Sequence, residues 1–229
     1  MDSTYDALVT RIKTRWEQHS SDGHPRLLIA LAGPPGSGKT TIAAQVASRL
    51  GHCHPSISIA HISADGFHLP LSTLRALPNA AEALARRGAA WTFDAKATAD
   101  LVDRLRSEAG RSDVVVPTFD HAIKDPVKDG LVVGKDVMVC LIERNYLLCD
   151  EEPWARIGRV VDERWLVEVE PELARRRVAE RHLAAGIEPT MEKALARTDE
   201  NDMVNGDFVM ARSKGKEDVL IHSIEEPHI

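Results

Sequence analysis

The eight residues GPPGSGKT, Gly33 to Thr40, set two glycines, a lysine and a hydroxyl at the spacing G-x-x-x-x-G-K-[ST]. The chemistry this spacing offers is the holding of phosphate. Glycine lets the backbone curl so that successive N–H groups converge, and a helix starting there adds the positive end of its dipole. Lys39 is then placed to reach terminal phosphates and Thr40 to offer its hydroxyl to magnesium. Pro35, Gly36, Ser37, Gly38, Lys39, Thr40 and Thr41 form the expected nucleotide-binding set. A turn that merely joined a strand to a helix would not require Lys and Thr at these places.

Carboxylates come next. In ISADGFHLP, Asp65 follows an apolar–polar alternation, and Gly66 allows a sharp turn beside a ligand. A carboxylate there can accept the proton of an attacking hydroxyl or bind a metal's water; a plain D-G turn is the alternative. WTFDA sets Asp94 where it either caps the following helix or meets an acceptor, with Trp91 beside it. PTFDH presents Phe119 and His121, the latter an acceptor contact or a surface loop histidine. Arg177 and Arg181 lie one helical turn apart in ELARRRVAERHLAAG, where they could neutralise charge on a transferring phosphoryl group or form a solvated face. Arg86 and Arg87 read as a solvated face, and Phe67 and His68 as walls of an acceptor site or as core. Asn201, Asp202 and Asn205 in ENDMVNGD form a further polar cluster or a turn.

The elements that must position these groups are legible in outline. LLIALAG is an apolar run too short for a helix, and the alanine-rich stretch after the glycine loop favours helix, with Gly51 as its expected terminator. SISIAHIS leads as a strand into Asp65, and VVVP, VMVCLI, RWLVEVE and DVLIHSI read as further strands. Leu8, Ile12 and Trp16 share one face of an N-terminal helix within residues 1–24, AKATADLVDRLRSEAG buries Leu101, Val102 and Leu105, and PELARRRVAERHLAAG starts on proline and ends on glycine. Strands separated by helices predict an α/β fold with a mainly parallel sheet covered on both faces. In such a sheet ligands gather beyond the carboxyl ends of the strands, where Asp65 falls. Pro117 to Lys135, rich in Pro, Asp, Lys and Gly, reads as a functional excursion or a hairpin rather than a linker.

Composition narrows the classes. The chain has 229 residues and a net charge of −6, which suits one domain and argues against a nucleic-acid backbone binder. Three cysteines without a framework spacing, and an N-terminus without a signal-like apolar block or membrane span, point to a soluble cytoplasmic protein. Adjacent His52, Cys53 and His54 have no second ligand pair, so zinc is set aside. The N-K-x-D element of switch GTPases does not occur.

GPPGSGKT, SADGFHLP, WTFDA, PTFDH, a strand ending in Glu143 and an arginine-bearing helix follow the order seen in the phosphoribulokinase, uridine kinase and pantothenate kinase superfamily. The sequence resembles its uridine-kinase-like branch over about residues 27–210. That resemblance implies a P-loop NTPase fold with a helical lid at about 171–200, and an ATP- and Mg2+-dependent phosphotransferase acting on a small-molecule alcohol. It implies Asp65 as base, Lys39, Arg177 and Arg181 as catalytic cations, and Thr40 and Glu143 at the metal. Asp94, Phe119, His121 and Trp91 fall at the acceptor, and a homodimer is compatible with the family. Arg144 stands where such kinases commonly have glycine, which leaves open a nucleotide-binding regulator with weakened catalysis. A mechanical ATPase is a third class, for which the chain offers no obvious second module.

Overall fold

The computed structural model describes residues 1–225. Five parallel strands form the main sheet: β1 (Leu27–Ala32), β2 (Ile59–Ser63), β5 (Val139–Glu143), β6 (Glu163–Val169) and β7 (Val219–Ser223), in the order β2-β5-β1-β6-β7. β1 lies between β5 and β6 with every residue buried, which is why it reads as an unbroken apolar run. Its side chains alternate: Leu28, Ala30 and Ala32 join one core, Leu27, Ile29 and Leu31 the other. The second core is closed by α1 (Asp2–Ser21), through Tyr5, Leu8, Val9 and Ile12, and by α2 (Lys39–Cys53). The first is closed by α5 (Ala95–Ser107), with Leu101, Val102 and Leu105 inward as expected, by Tyr146 and Trp154 from the segment after β5, and by Ile157 of α6 (Ala155–Val160).

Two expectations need correction. Gly51 does not end α2, which runs on to Cys53; glycine is only weakly disfavoured inside a helix, and nothing packs against its open side. VVVP does not enter the sheet. It begins β3 (Val114–Asp120), which pairs antiparallel with β4 (Asp125–Val133) in a separate ribbon, so the segment 117–135 is a hairpin. Val114, Val116 and Val133 face the core while Val115 and Val132, opposite each other, face outward.

The ribbon is held against the strand ends by close backbone approach. A Cβ on Gly66, in the tight turn Ala64–Phe67, would stand 2.2 Å from the Pro117 carbonyl oxygen. The short helices α3 (Leu71–Ala76) and α4 (Ala80–Ala85) follow that turn. Beyond β6 come α7 (Pro171–Ala184), which opens on proline with Gly186 in the left-handed region just past its end, and α8 (Met191–Arg197) packed on it. A π-helical turn, Thr198–Met203, leads into α9 (Val204–Ser213). α9 returns to the glycine loop, where a Cβ on Gly206 would meet Pro34 at 3.2 Å.

Candidate active site

The loop after β1 takes the form its sequence demands. Gly36 and Gly38 have φ of 76° and 80°, values that side chains rarely tolerate, and a Cβ on Gly36 would strike the Ala174 carbonyl oxygen at 2.5 Å. Gly38 immediately precedes α2, whose N-terminus therefore opens into the loop. Two polar atoms inside this cradle lack what they need. Ser37 Oγ is buried without a partner among the described residues, and the buried Lys39 ammonium donates only one long hydrogen bond, 3.3 Å to the Pro34 carbonyl. Burial pushes the Lys39 amine down to about 7; Glu143 opposes this, and the charges of Arg144 and Arg181 add to it. A cradle with a half-satisfied ammonium and convergent backbone is a fit for phosphate. Thr40 Oγ1 donates to Glu143 Oε1 at 3.2 Å, so a hydroxyl and a carboxylate, the hard oxygens magnesium favours, already share one point.

Register brings the second carboxylate alongside. β2 and β5 pair in parallel with Ser63 opposite Glu143, so Asp65 and Arg144 leave adjacent strand ends together. The Arg144 guanidinium pairs with Asp65 Oδ1, points Nη2 at His68 Nε2 at 3.3 Å, and lies over the Phe93 ring, its carbon 4.2 Å from the centroid. Burial, aided by Arg181, lowers its proton affinity, yet a guanidinium starts so high that it stays charged near neutrality. His68 is fixed as the neutral tautomer: Nδ1 donates to the Asp65 carbonyl at 2.8 Å, and Nε2 faces a group that can only donate. Burial, with Arg87 and His121 nearby, pushes its pKa down to about 3.

The His68 ring lies between Phe93 and Phe119, with centroids 4.1 and 4.8 Å away. Arg87 covers Phe119 at 5.5 Å and pairs with Asp125 at 3.2 Å, while Asp125 also accepts from the Leu71 amide. Arg87 is thus part of the wall and not a solvated residue. Arg86 is also engaged, donating to the Glu200 carbonyl and to Asn205 Oδ1. Asn201 and Asn205 are buried; Asn201 donates to the Arg87 carbonyl and Asn205 to Asn201, which ties the start of α9 to the segment 86–88.

The remaining expected residues are distributed unevenly. His121 is exposed at the hairpin tip with its ring 5.2 Å from Phe119. Asp94 Oδ1 accepts from the Ala97 amide at 2.8 Å and so caps α5, the first of its two readings. Trp91, 44% exposed, borders a different cavity of about 410 Å³ whose lining includes Phe93, Tyr146, Trp154 and Phe208. Arg177 faces the outside of the loop, where it donates to the Gly36 carbonyl, Ser223 Oγ and the Ile224 carbonyl. Arg181, a turn later, is exposed, has no hydrogen bond or ion pair from its guanidinium among the described residues, and its charge reaches both Lys39 and Arg144. Pro35 is buried in the loop, and Thr41 is exposed on the first turn of α2.

A parallel α/β sheet with this loop and a carboxylate at the neighbouring strand end defines a P-loop nucleotide-binding protein. Comparison with known proteins narrows the class. The family model for the ATPase family associated with various cellular activities (AAA) matches residues 29–116, the stretch holding the loop. A Schizosaccharomyces pombe protein named as a candidate uridine kinase is 41% identical over 207 residues, covering 90% of this chain and 86% of that one. The crystal structure of a candidate fructose transport system kinase from Silicibacter sp. TM1040 is 30% identical with a TM-score of 0.76, covering 86% of this chain and 89% of that one. The Saccharomyces cerevisiae YFH7 structure shares the fold at a TM-score of 0.79 and 20% identity, over 99% of both chains. The chain belongs to the uridine-kinase-like P-loop kinases, and as such is an ATP-binding kinase.

Proposed function

We propose that the protein transfers the terminal phosphoryl group of ATP to a hydroxyl of a small metabolite. The observation that carries this reading is the pairing of β2 with β5, which sets Asp65 beside the strand end that supplies Glu143. Lys39 and the loop amides hold the phosphates, and Thr40 and Glu143 would hold magnesium. That ion, when bound, neutralises charge on the outer phosphates. Asp65 takes the proton of the acceptor hydroxyl, Arg181 approaches the phosphoryl group from α7, and Arg177 keeps the loop's outer wall in place. His68, Phe93 and Phe119 wall the acceptor side and limit water. Most of the rate comes from positioning and charge neutralisation, since this chemistry asks little else of a protein. We read the chain as one cytoplasmic domain with a lid over residues 171–200.

The test is a panel of hydroxylated metabolites with ATP and magnesium, scored by the gain of one phosphate in mass, with Lys39→Met as control. At least one acceptor gains phosphate with the natural chain and none with the variant. Nucleotide binding with no acceptor modified would favour a nucleotide-sensing role, the reading that the Asp65–Arg144 pair supports second. Rapid ATP hydrolysis without any acceptor would oppose both.

A further inference from the structure

We propose that Arg144 selects acceptors carrying an anion, a carboxylate or a phosphate, beside the hydroxyl, and that binding this anion frees Asp65 for proton transfer. The inference rests on the reading of Asp65 as the base. It begins with the state of that base. Asp65 is paired with a guanidinium whose side chain is only 12% exposed, so the Oδ1 that would take the acceptor's proton is already held by a donor. For Asp65 to work, the guanidinium must be given another partner. A neutral alcohol offers no charge to compete with a carboxylate; an anion does.

The surroundings of Arg144 say where that partner sits. Its contacts are Asp65, His68 and Phe93, all on the acceptor side. Its Nε is buried without a partner among the described residues, so a fork of five donors is incompletely used. His68 cannot take the anion instead, because its tautomer is fixed as neutral with Nδ1 committed to the Asp65 carbonyl. Lys39 and Arg181 lie on the phosphate side, and Arg87, the other cation of the acceptor wall, has both terminal nitrogens committed to Asp125 and to the Lys124 and Leu69 carbonyls, which leaves Arg144 as the cation beside the base. Phe93 beneath the guanidinium keeps its plane fixed, so a planar carboxylate or a phosphate can be met by two N–H groups at once.

The acceptor's hydroxyl proton passes to Asp65, and the oxygen's electron pair forms the new bond to the terminal phosphorus. The bond from that phosphorus to the bridging oxygen breaks, and its electrons leave with ADP.

Matched pairs of probes test this: glycerate against glycerol, pantothenate against pantothenol, and ribose 5-phosphate against ribose, each assayed for turnover and for binding by calorimetry. The natural chain prefers the anionic member of at least one pair by about 100-fold in kcat/KM, as expected for a charge-assisted bidentate contact. Arg144→Met removes most of that preference through KM, whereas Arg144→Lys, a point charge, restores part of it. Binding of the magnesium complex of a non-hydrolysable ATP analogue stays within about twofold in both variants, which also reports that they fold. Asp65→Asn removes the competing carboxylate, so the preferred anion binds about fivefold tighter while its neutral counterpart is unchanged. Three results overturn the proposal: no anionic member binding or reacting better than its counterpart, a preference that survives Arg144→Met, or loss of nucleotide affinity in that variant as large as the loss of acceptor affinity. If nothing is phosphorylated yet the anion still binds through Arg144, the kinase reading falls while the anion site stands.

Discussion

The two sides of the site are built differently. On the donor side, backbone does the positioning: Gly36 and Gly38 sit at positive φ, Gly36 lies against the Ala174 carbonyl, and α2 starts where the loop ends. On the acceptor side, side chains hold one another in a row, Arg144 on Phe93, His68 between Phe93 and Phe119, and Arg87 on Phe119. A donor side built from backbone offers a phosphate chain one fixed geometry. On the proposed role of Arg144, the acceptor side would change its ligand by changing that single residue. A kinase fold can keep its phosphate chemistry while its acceptor drifts.

Variants that affect one side and spare the other sharpen this contrast. The largest effect expected within the donor side separates the two arginines of α7: Arg181→Ala lowers kcat by about 100-fold to 1000-fold with unchanged stability, because it removes a cation acting on the phosphoryl group. Arg177→Ala, which removes one hydrogen bond to the loop at Gly36 and two at the end of β7, to Ser223 and the adjoining Ile224, costs about 1 kcal/mol and roughly 2–4 °C in Tm, with a smaller loss of rate. Steady-state kinetics and thermal melts read both. Equal behaviour of the two would break the distinction.

Next in size are two glycine changes. Gly36→Ala weakens nucleotide binding by about tenfold, since its Cβ has no room against Ala174. Gly66→Ala pushes the β3–β4 ribbon from the turn at Asp65, raising acceptor KM by about tenfold while nucleotide affinity stays within about twofold. Calorimetry with nucleotide and kinetics with acceptor would show whether the two sides separate in this way.

The smallest effect is a proton. Burial holds Lys39 at about 7, and a bound phosphate raises it by favouring the ammonium. Below that pH the amine is already charged and binding takes up little. Above it, binding takes up close to one proton, and nucleotide affinity falls by up to about tenfold per pH unit. Calorimetry in buffers of different ionisation enthalpy measures the uptake, which Lys39→Met abolishes.

How much of this was legible in the sequence follows the same division. The glycine loop, its strand and its helix are local, so residue type and spacing were enough. Asp94 as a cap and Pro171 as the first residue of α7 were legible for the same reason. Phe119 and His68 were legible from their motifs as candidate acceptor residues, but the contacts that join them to the arginines were not, because those partners are distant in the chain: Arg87 meets Asp125 38 positions on, and Arg144 meets His68 76 positions back. Arg87 read as a solvated residue since nothing near it in sequence could bury or pair it. VVVP read as a sheet strand because apolar run length does not distinguish a sheet interior from a two-stranded ribbon with one face against the core. The helices over residues 71–85 are too short to show a period.

The most direct test of the account is Asp65→Asn, assayed with the best acceptor found and with the affinity for magnesium–ATP measured alongside. With Asp65 as the proton acceptor, kcat falls by about 1000-fold or more and nucleotide affinity stays within about twofold. A kcat within about threefold of the natural chain would contradict it.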